Sequence, residues 1–230
     1  MTAHVAQTPL DPAFVPGISQ HCDQWCSYCA MTAHCLAYCR STERREQQGP
    51  EAFKNFDDVI EFTREIAAAE GRTTPELDAL LSPDPTVRDS VPDVDDPLDD
   101  LAARYAFEAA RFLERRSWMP PVRPTPQPSS LDVVAWYHVL IHLRLGRAVA
   151  SAILAARGRA DRIVDANGCA KMVLVGIDRS RAALRRLRGH RDDARVVSLL
   201  ETLEELAPAV ERRFPSARDF IRPGLDGPVA

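Results

Sequence analysis

The apolar residues of this chain recur at the three- and four-residue intervals of amphipathic helices rather than at the two-residue interval of strands. Between Pro50 and Gly71, for example, Phe53, Phe56 and Ile60 fall on one helical face. Because no series of strands and no internal repeat is present, the predicted fold class is all-α, an irregular helical bundle. Helices are predicted over residues 50–71, 74–81, 98–118, 130–157, 165 or 167 to 188, and 192–214.

Prolines and glycines mark where the predicted helices begin and end. Proline-rich loops are predicted over 82–97 and 119–128, because proline lacks the amide hydrogen that a helix interior needs. Gly158 and Gly189 are predicted helix stops. The helix over 130–157 is apolar almost all round its middle, so we expect it to lie at the centre of the bundle.

The beginning of the chain differs in composition from the rest. Prolines disfavour helix in residues 1–20, and a cysteine-rich stretch follows at 21–40. We therefore predict two parts. Residues 1–45 form an N-terminal arm and cysteine-rich metal-binding segment, and residues 46–230 form a helical bundle domain.

Composition and charge narrow the functional classes. Hydrophobic residues make up 45% of the chain, too many for a disordered protein, and a net charge of -4 gives no basic field to attract nucleic acid. The first residues do not form a secretory signal, and the longest uninterrupted apolar stretches, such as 172–177, are far too short to cross a bilayer. We therefore expect a cytoplasmic protein with no membrane partner, in which the cysteines are reduced.

Cysteines carry the strongest chemical signal in the sequence. Five of the six lie between residues 22 and 39, and one short segment cannot easily bury so many thiols. Soft thiolates bind zinc, copper(I) or iron–sulfur clusters. Cys22, Cys26 and Cys29 offer three thiols on one face, and Cys35 closes a set of four. These four are the predicted metal and cofactor ligands, and Cys39 is the spare thiol.

The spacing of these cysteines also bears on which metal they bind. Zinc draws four sulfurs into one tight tetrahedron with Zn–S bonds near ~2.3 Å, usually from two separated pairs of cysteines. A four-iron cluster holds its cysteines farther apart, which suits ligands interleaved on one short segment. The sequence therefore slightly favours a [4Fe–4S] cluster over zinc, and a contribution from His21 or His34 stays open.

Parts of the cysteine pattern resemble known iron–sulfur proteins. The part Cys26-x2-Cys29-x5-Cys35 is similar to the ligand spacing of WhiB-type regulators, and Cys22-x3-Cys26-x2-Cys29 resembles the radical SAM triplet. Both resemblances imply a [4Fe–4S] cluster and end with these residues. The chain is much larger than a WhiB protein, and it lacks the alternating strands and helices of a radical SAM barrel.

A third resemblance extends into the predicted bundle. Cys22-Asp-Gln-Trp-Cys26, Asp165-Ala-Asn-Gly-Cys-Ala-Lys171 and Gly176-Ile-Asp-Arg-Ser180 together resemble a group of uncharacterised bacterial helical proteins. That resemblance implies a shared fold and brings no activity with it. The leading functional prediction is therefore a metal-binding helical protein of unknown activity, with a structural or redox-sensing cysteine site and an unidentified small-molecule or protein partner.

Two other functions remain open from the sequence. His138 and His142 are four residues apart and share a helical face, so they could ligate a second metal if carboxylates reach them from another helix. That arrangement would make the chain a metal-dependent bundle oxidoreductase. Alternatively, the proline-rich arms could make the contacts of a partner-binding adaptor. For the histidines, the more common structural role is a hydrogen-bonded core residue.

Charged residues beside the apolar helices could line a pocket for an anionic small molecule. The favoured alternative is a structural network of ion pairs, which needs no ligand. The residues concerned are Asp165, Lys171, Asp178, Arg179, Arg144 and Arg147.

Overall fold

The computed structural model describes residues 11–72, 96–123, 125–188 and 193–227, and these fall into two compact units. Six α-helices and no strand are present within those ranges, which confirms the predicted all-α class. The predicted helix over 74–81 and nearly all of the loop over 82–97 lie outside them. The small unit comprises residues 11–20, 29–72 and 223–227, and the bundle comprises 21–28, 96–123, 125–188 and 193–222.

The small unit contains helices α1 (Leu36–Gln48) and α2 (Phe56–Ala69). The sequence pattern does not predict α1, because Leu36 is its one buried residue and an apolar stripe is missing. The single helix predicted over 50–71 is wrong in its first part. A short 3-10 turn, Gly49–Phe53, comes first, and Asn55 then starts α2 through a capping box with Asp58.

The bundle contains four longer helices, α3 (Pro97–Arg115), α4 (Ser130–Ala156), α5 (Arg162–Arg188) and α6 (Ala194–Arg213). All four were predicted, with ends that differ from the observed ones by at most five residues. Helices α4 and α5 are joined by a short connection and pack along each other. Helix α3 packs on α4 and α6, and α6 also packs on α5.

Helix α5, rather than α4, is the most deeply buried element of the bundle. Twelve residues of α5 are buried, against eight of α4, although both helices have 27 residues. Small side chains explain the difference, because Ala166, Gly168, Ala170 and Gly176 let neighbouring elements approach α5 closely. The prediction that α4 would be the central helix is therefore corrected in favour of α5.

The domain division differs from the one expected from composition. The predicted boundary between residues 45 and 46 lies inside α1, and residues 21–28 belong to the bundle although they begin the cysteine-rich segment. Cys22 and Cys26 therefore lie in the bundle. Cys29 and Cys35 lie in the small unit.

Helix α4 is long and apolar enough to cross a membrane by length and composition, with a mean hydropathy of 1.6 over its most apolar window. Isolated charges such as Arg144 interrupt α4, which is why it contains no long uninterrupted apolar stretch. A core helix of a water-soluble protein passes the same test, so one such helix carries little weight. Cytoplasmic location therefore stays a prediction.

The crossing of α4 and α5 depends on Gly176. A β-carbon added at Gly176 would lie 2.9 Å from Ile141 Cγ1 and 3.0 Å from Tyr137 Cδ1, both buried side chains of α4. Close-packed interiors do not take up such overlaps without moving side chains or backbone. The absence of a side chain at residue 176 therefore sets how closely the two helices approach.

We predict that Gly176→Ala lowers the free energy of unfolding by about 1–3 kcal/mol, because overpacking outweighs the gain in helix propensity. Chemical denaturation followed by circular dichroism measures the change. Gly146→Ala is the matched control in α4, since its new β-carbon would meet only the end of the flexible Asp99 side chain, at 3.3 Å, which needs to give by only a few tenths of an ångström. Equal stability of the two variants would contradict this account of the crossing.

Candidate functional site

The segment His21–Tyr28, which carries the first two predicted ligands, lies on α4 and α5 of the bundle. Its main polar anchor is Asp23. One carboxylate oxygen of Asp23 accepts hydrogen bonds from the Tyr137 hydroxyl and from the Arg179 guanidinium, each at 2.5 Å. Arg179 also donates to the Tyr137 oxygen. Burial, together with the nearby Asp23 carboxylate, raises the pKa of Tyr137, so its hydroxyl stays a proton donor.

Backbone groups of the same segment are held as well. The indole of Trp136 donates to the Asp23 carbonyl oxygen at 2.8 Å, and Arg144 donates to the Cys22 carbonyl oxygen at 3.1 Å. Gln24 has a φ of 56°, in the left-handed region that side chains other than glycine rarely adopt. Such a conformation persists where surrounding contacts fix it. The bundle therefore determines the backbone path between the first two cysteines.

Aromatic packing holds the outer half of the segment. Trp25 stacks on Trp136 with ring centroids 5.1 Å apart and planes 6° from parallel. Tyr137 and Tyr28 meet the Trp25 ring edge-on, at 6.0 and 4.9 Å. Aromatic pairs of this kind add to the free energy of area burial. Trp25 thus contacts the hydrophobic core of the bundle directly.

His21 fills a recess on α5 that only glycine can leave open. A β-carbon at Gly168 would lie 2.4 Å from two atoms of the His21 ring, which is 5% exposed and meets Phe220 edge-on at 5.0 Å. Gly168 therefore makes room for the residue that immediately precedes the first cysteine. A larger residue at this position would displace His21.

All six cysteines lie in the described part of the chain, and none forms a disulfide. In the bundle, Cys26 is exposed and Cys22 is half-buried. In the small unit, Cys29, Cys35 and Cys39 are half-buried. The structure therefore describes the four predicted ligands in two units, and their assignment as one metal site stays a prediction.

Within the small unit, the Cys35 thiol is influenced by burial and by two neighbouring cysteines. Burial raises the pKa of Cys35, and the nearby Cys29 and Cys39 sulfurs raise it further, against lowering by backbone hydrogen bonds at the start of α1. The Cys39 thiol lies 3.5 Å from the Thr32 carbonyl oxygen, to which it donates. This local partner suits the role of spare thiol predicted for Cys39.

A second group of ligand-type side chains lies inside the bundle. The donor atoms of His21, Asp165 and Cys169 all lie within 4.8 Å of one another, a group of three that could hold a metal ion. His21 and Cys169 are buried, and Asp165 is mostly buried. Histidine, carboxylate and thiolate are all zinc ligands, so the residue types alone would allow a metal here.

The arginines around this group oppose a divalent cation. The Asp165 carboxylate accepts hydrogen bonds from Arg147 at 3.0 and 2.5 Å and from the Ser151 hydroxyl at 2.7 Å. Arg144 and Arg147 also lie close enough to Cys169 to act on its pKa, which burial nevertheless raises. Since positive charge already balances Asp165, adding a metal would leave excess positive charge in a buried place. These contacts fit a structural polar cluster better than a metal site.

The histidines of the oxidoreductase hypothesis lie beside the buried face of α4. His138 Nδ1 is 2.7 Å from the Ala135 carbonyl oxygen, and burial lowers the pKa of this half-buried ring. His142 Nε2 lies 3.5 Å from one carboxylate oxygen of Asp99. In the described residues, neither histidine belongs to a converging group of three ligands. These contacts suit structural histidines.

The charged residues that could have lined an anion pocket are paired separately. Lys171 donates to the Arg218 carbonyl oxygen at 2.6 Å, and the Arg218 guanidinium donates to Asp178 at 2.6 Å. Arg147, Arg179 and Arg144 make the contacts described above. The arrangement fits the structural ion-pair network that the sequence favours over an anion pocket.

Several residues of this site have no signal that identifies their role in the sequence alone. Asp23 and Arg179 are 156 residues apart, so no local pattern could pair them. One local signal does exist, since Asp165 precedes Cys169 by one helical turn and the two side chains therefore share a face.

Comparison of the chain with protein-family models, with curated proteins and with solved structures finds no match. The fold therefore defines the chain as an all-α protein. Its function is inferred from its own residues.

We predict that Asp165→Asn destabilises the protein by about 1–3 kcal/mol at neutral pH, since Arg147 loses a charged acceptor. Burial alone would raise the pKa of Asp165, but the hydrogen bonds and charge of Arg147, with Ser151, hold it below its usual value. A carboxyl whose pKa is lower in the folded state stabilises the protein at pH values above its unfolded pKa of about 4. This stabilisation is lost as the pH falls through the pKa of the folded state.

The difference in the free energy of unfolding between wild type and Asp165→Asn should therefore be largest at pH 7. It should become smaller as the pH falls below about 4. Urea denaturation at a series of pH values measures it. Asp219→Asn is the control, because that aspartate of the bundle is exposed and has no ion pair in the described part of the chain. A difference that stays constant down to acid pH would contradict the charged role of Asp165.

Proposed function

We propose that this chain is a metal-binding helical protein in which Cys22, Cys26, Cys29 and Cys35 hold a [4Fe–4S] cluster, with zinc as the alternative metal. The observation that carries the proposal is the way the bundle fixes the backbone from residue 21 to residue 28 while leaving the Cys26 side chain exposed. A metal site needs ligands that are held in place and accessible at once.

The anchors act on the backbone and on residues between the cysteines rather than on the Cys26 thiol. Asp23 and Trp25 lie between Cys22 and Cys26, and each makes its own contact with the bundle. Positions of metal ligands are usually set by such neighbouring contacts. The first two cysteines therefore start from a fixed backbone, so less conformational entropy is lost when a metal binds.

The cluster is preferred to zinc on the sequence spacing. Three of the four cysteines follow each other at intervals of four and three residues, and structural zinc sites more often use two well-separated pairs. None of the six cysteines forms a disulfide, which leaves their sulfurs available to either metal. The proposed role of the metal is structural or redox-sensing, in the cytoplasm. No contact in the described residues favours the histidine-based oxidoreductase or the adaptor over this role.

We expect protein purified without oxygen to be brown and to contain iron and acid-labile sulfide, with about four irons per chain. Cys26→Ser should lose most of this metal, because one missing thiolate opens the coordination shell. Elemental analysis, sulfide assay and absorption spectra measure the outcome. Cys39→Ser is the matched control, since it removes a thiol from the same segment without removing a proposed ligand.

Stoichiometric zinc without iron would overturn the cluster and leave a metal site of the other kind. Protein without either metal, or unchanged metal content after separate replacement of each of the four ligands, would overturn the proposed function. Loss of metal in Cys39→Ser as complete as in Cys26→Ser would overturn the ligand assignment.

A further inference from the structure

The three tryptophans of the chain meet at one pocket of the bundle. Trp25, Trp118 and Trp136 line a cavity of about 250 Å³, and they are all the tryptophans in the sequence. A concave surface rich in aromatic side chains is the usual form of a small-molecule site. The lining is completed by Ser27, Tyr28, Pro120, Pro121, Asp132 and Ala135.

The pocket holds negative charge without a basic partner in its lining. Asp132 is its one ionisable carboxylate, and no Lys, Arg or His is among the described residues that line it. Burial alone would raise the pKa of Asp132, but hydrogen bonds from Ser129 and from the Trp118 indole hold it below its usual value. Asp132 is therefore ionised at neutral pH.

The rings and the carboxylate are held in place before any ligand arrives. The Trp118 indole donates to Asp132 Oδ1 at 2.9 Å, and Asp132 also closes the capping box of α4 with Ser129. The Tyr28 hydroxyl lies 3.4 Å from the Thr125 hydroxyl. Because these side chains are already fixed, little of the binding free energy would be spent on ordering them when a ligand binds.

We propose that this pocket binds a small organic cation of the quaternary ammonium class. Aromatic faces attract cations through their negative electrostatic potential, and tryptophan does so most strongly. The Asp132 carboxylate adds a favourable charge. A quaternary ammonium needs no hydrogen-bond acceptor, so it suits the tryptophan and proline surfaces that make up most of the lining. No cysteine is among the described residues that line the pocket, so the proposed cation and the proposed metal use different side chains of the same segment.

Choline and its neutral carbon analogue, 3,3-dimethylbutan-1-ol, test the proposal in the protein as purified. The two have nearly the same shape and differ in charge. Isothermal titration calorimetry should give a Kd for choline at least about five-fold below that of the neutral analogue, the ratio expected from a cation–aromatic contact. Tryptophan fluorescence should change on choline addition, since every tryptophan lines the pocket.

Two pairs of variants locate the site. Trp136→Ala should weaken choline binding at least about five-fold, and Phe107→Ala, which removes an exposed aromatic ring outside the pocket, should leave it unchanged. Asp132→Asn removes the charge and half of the capping box of α4, and Asp58→Asn is its control because it makes the same change in the capping box of α2, outside the pocket lining. Of these two variants, only Asp132→Asn should weaken choline binding.

Equal affinity for choline and the neutral analogue would overturn the choice of a cation. Lack of choline binding at concentrations up to about 10 mM would overturn the site itself. Binding of a proline-rich peptide in place of choline would also overturn the proposal, because aromatic grooves of this kind can bind extended proline helices. Choline binding that survives both Trp136→Ala and Asp132→Asn would place it elsewhere on the protein.

Discussion

The described site depends on the hydrogen bonds that the Asp23 carboxylate accepts from the bundle. A mostly buried carboxylate is stable only when it is fully paired, and Asp23 is paired with the Tyr137 hydroxyl and the Arg179 guanidinium. These partners belong to α4 and α5, the two helices that cross at Gly176. The Asp23 carboxylate therefore connects α4 and α5 to the start of the cysteine-rich segment. It also determines which part of that segment lies on the bundle.

Both proposed activities use the backbone that this interaction holds. Cys22 and Cys26 lie on either side of Asp23. The bundle therefore sets the backbone positions from which these two cysteines would bind a metal. Trp25, stacked on Trp136, lines the aromatic pocket from the same segment. If the cysteines bind a metal, its binding free energy adds to the stability of the folded state, because the unfolded chain does not preserve the site.

The sequence predicts the repeating parts of this structure and not the contacts between distant residues. Helices α3 to α6 follow from apolar periodicity, whereas the residues that cap α4, Ser129 and Asp132, are known from the structure. Helix α1 is missed because its surface is polar nearly all round. The cysteines stand out by spacing alone, but the partner of Asp23 lies 156 residues away and the recess for His21 comes from an absent side chain at Gly168.

Hydrogen exchange in the metal-loaded and metal-free protein tests most directly whether the cysteine site and the bundle are coupled. Peptides from residues 21–28 and from the facing parts of α4 and α5, near Tyr137 and Arg179, report the contact that Asp23 makes. The account predicts that removal of the metal speeds exchange in all three places, because loosening the segment weakens its anchors on both helices. Faster exchange confined to residues 20–45, with α4 and α5 unchanged, would contradict it.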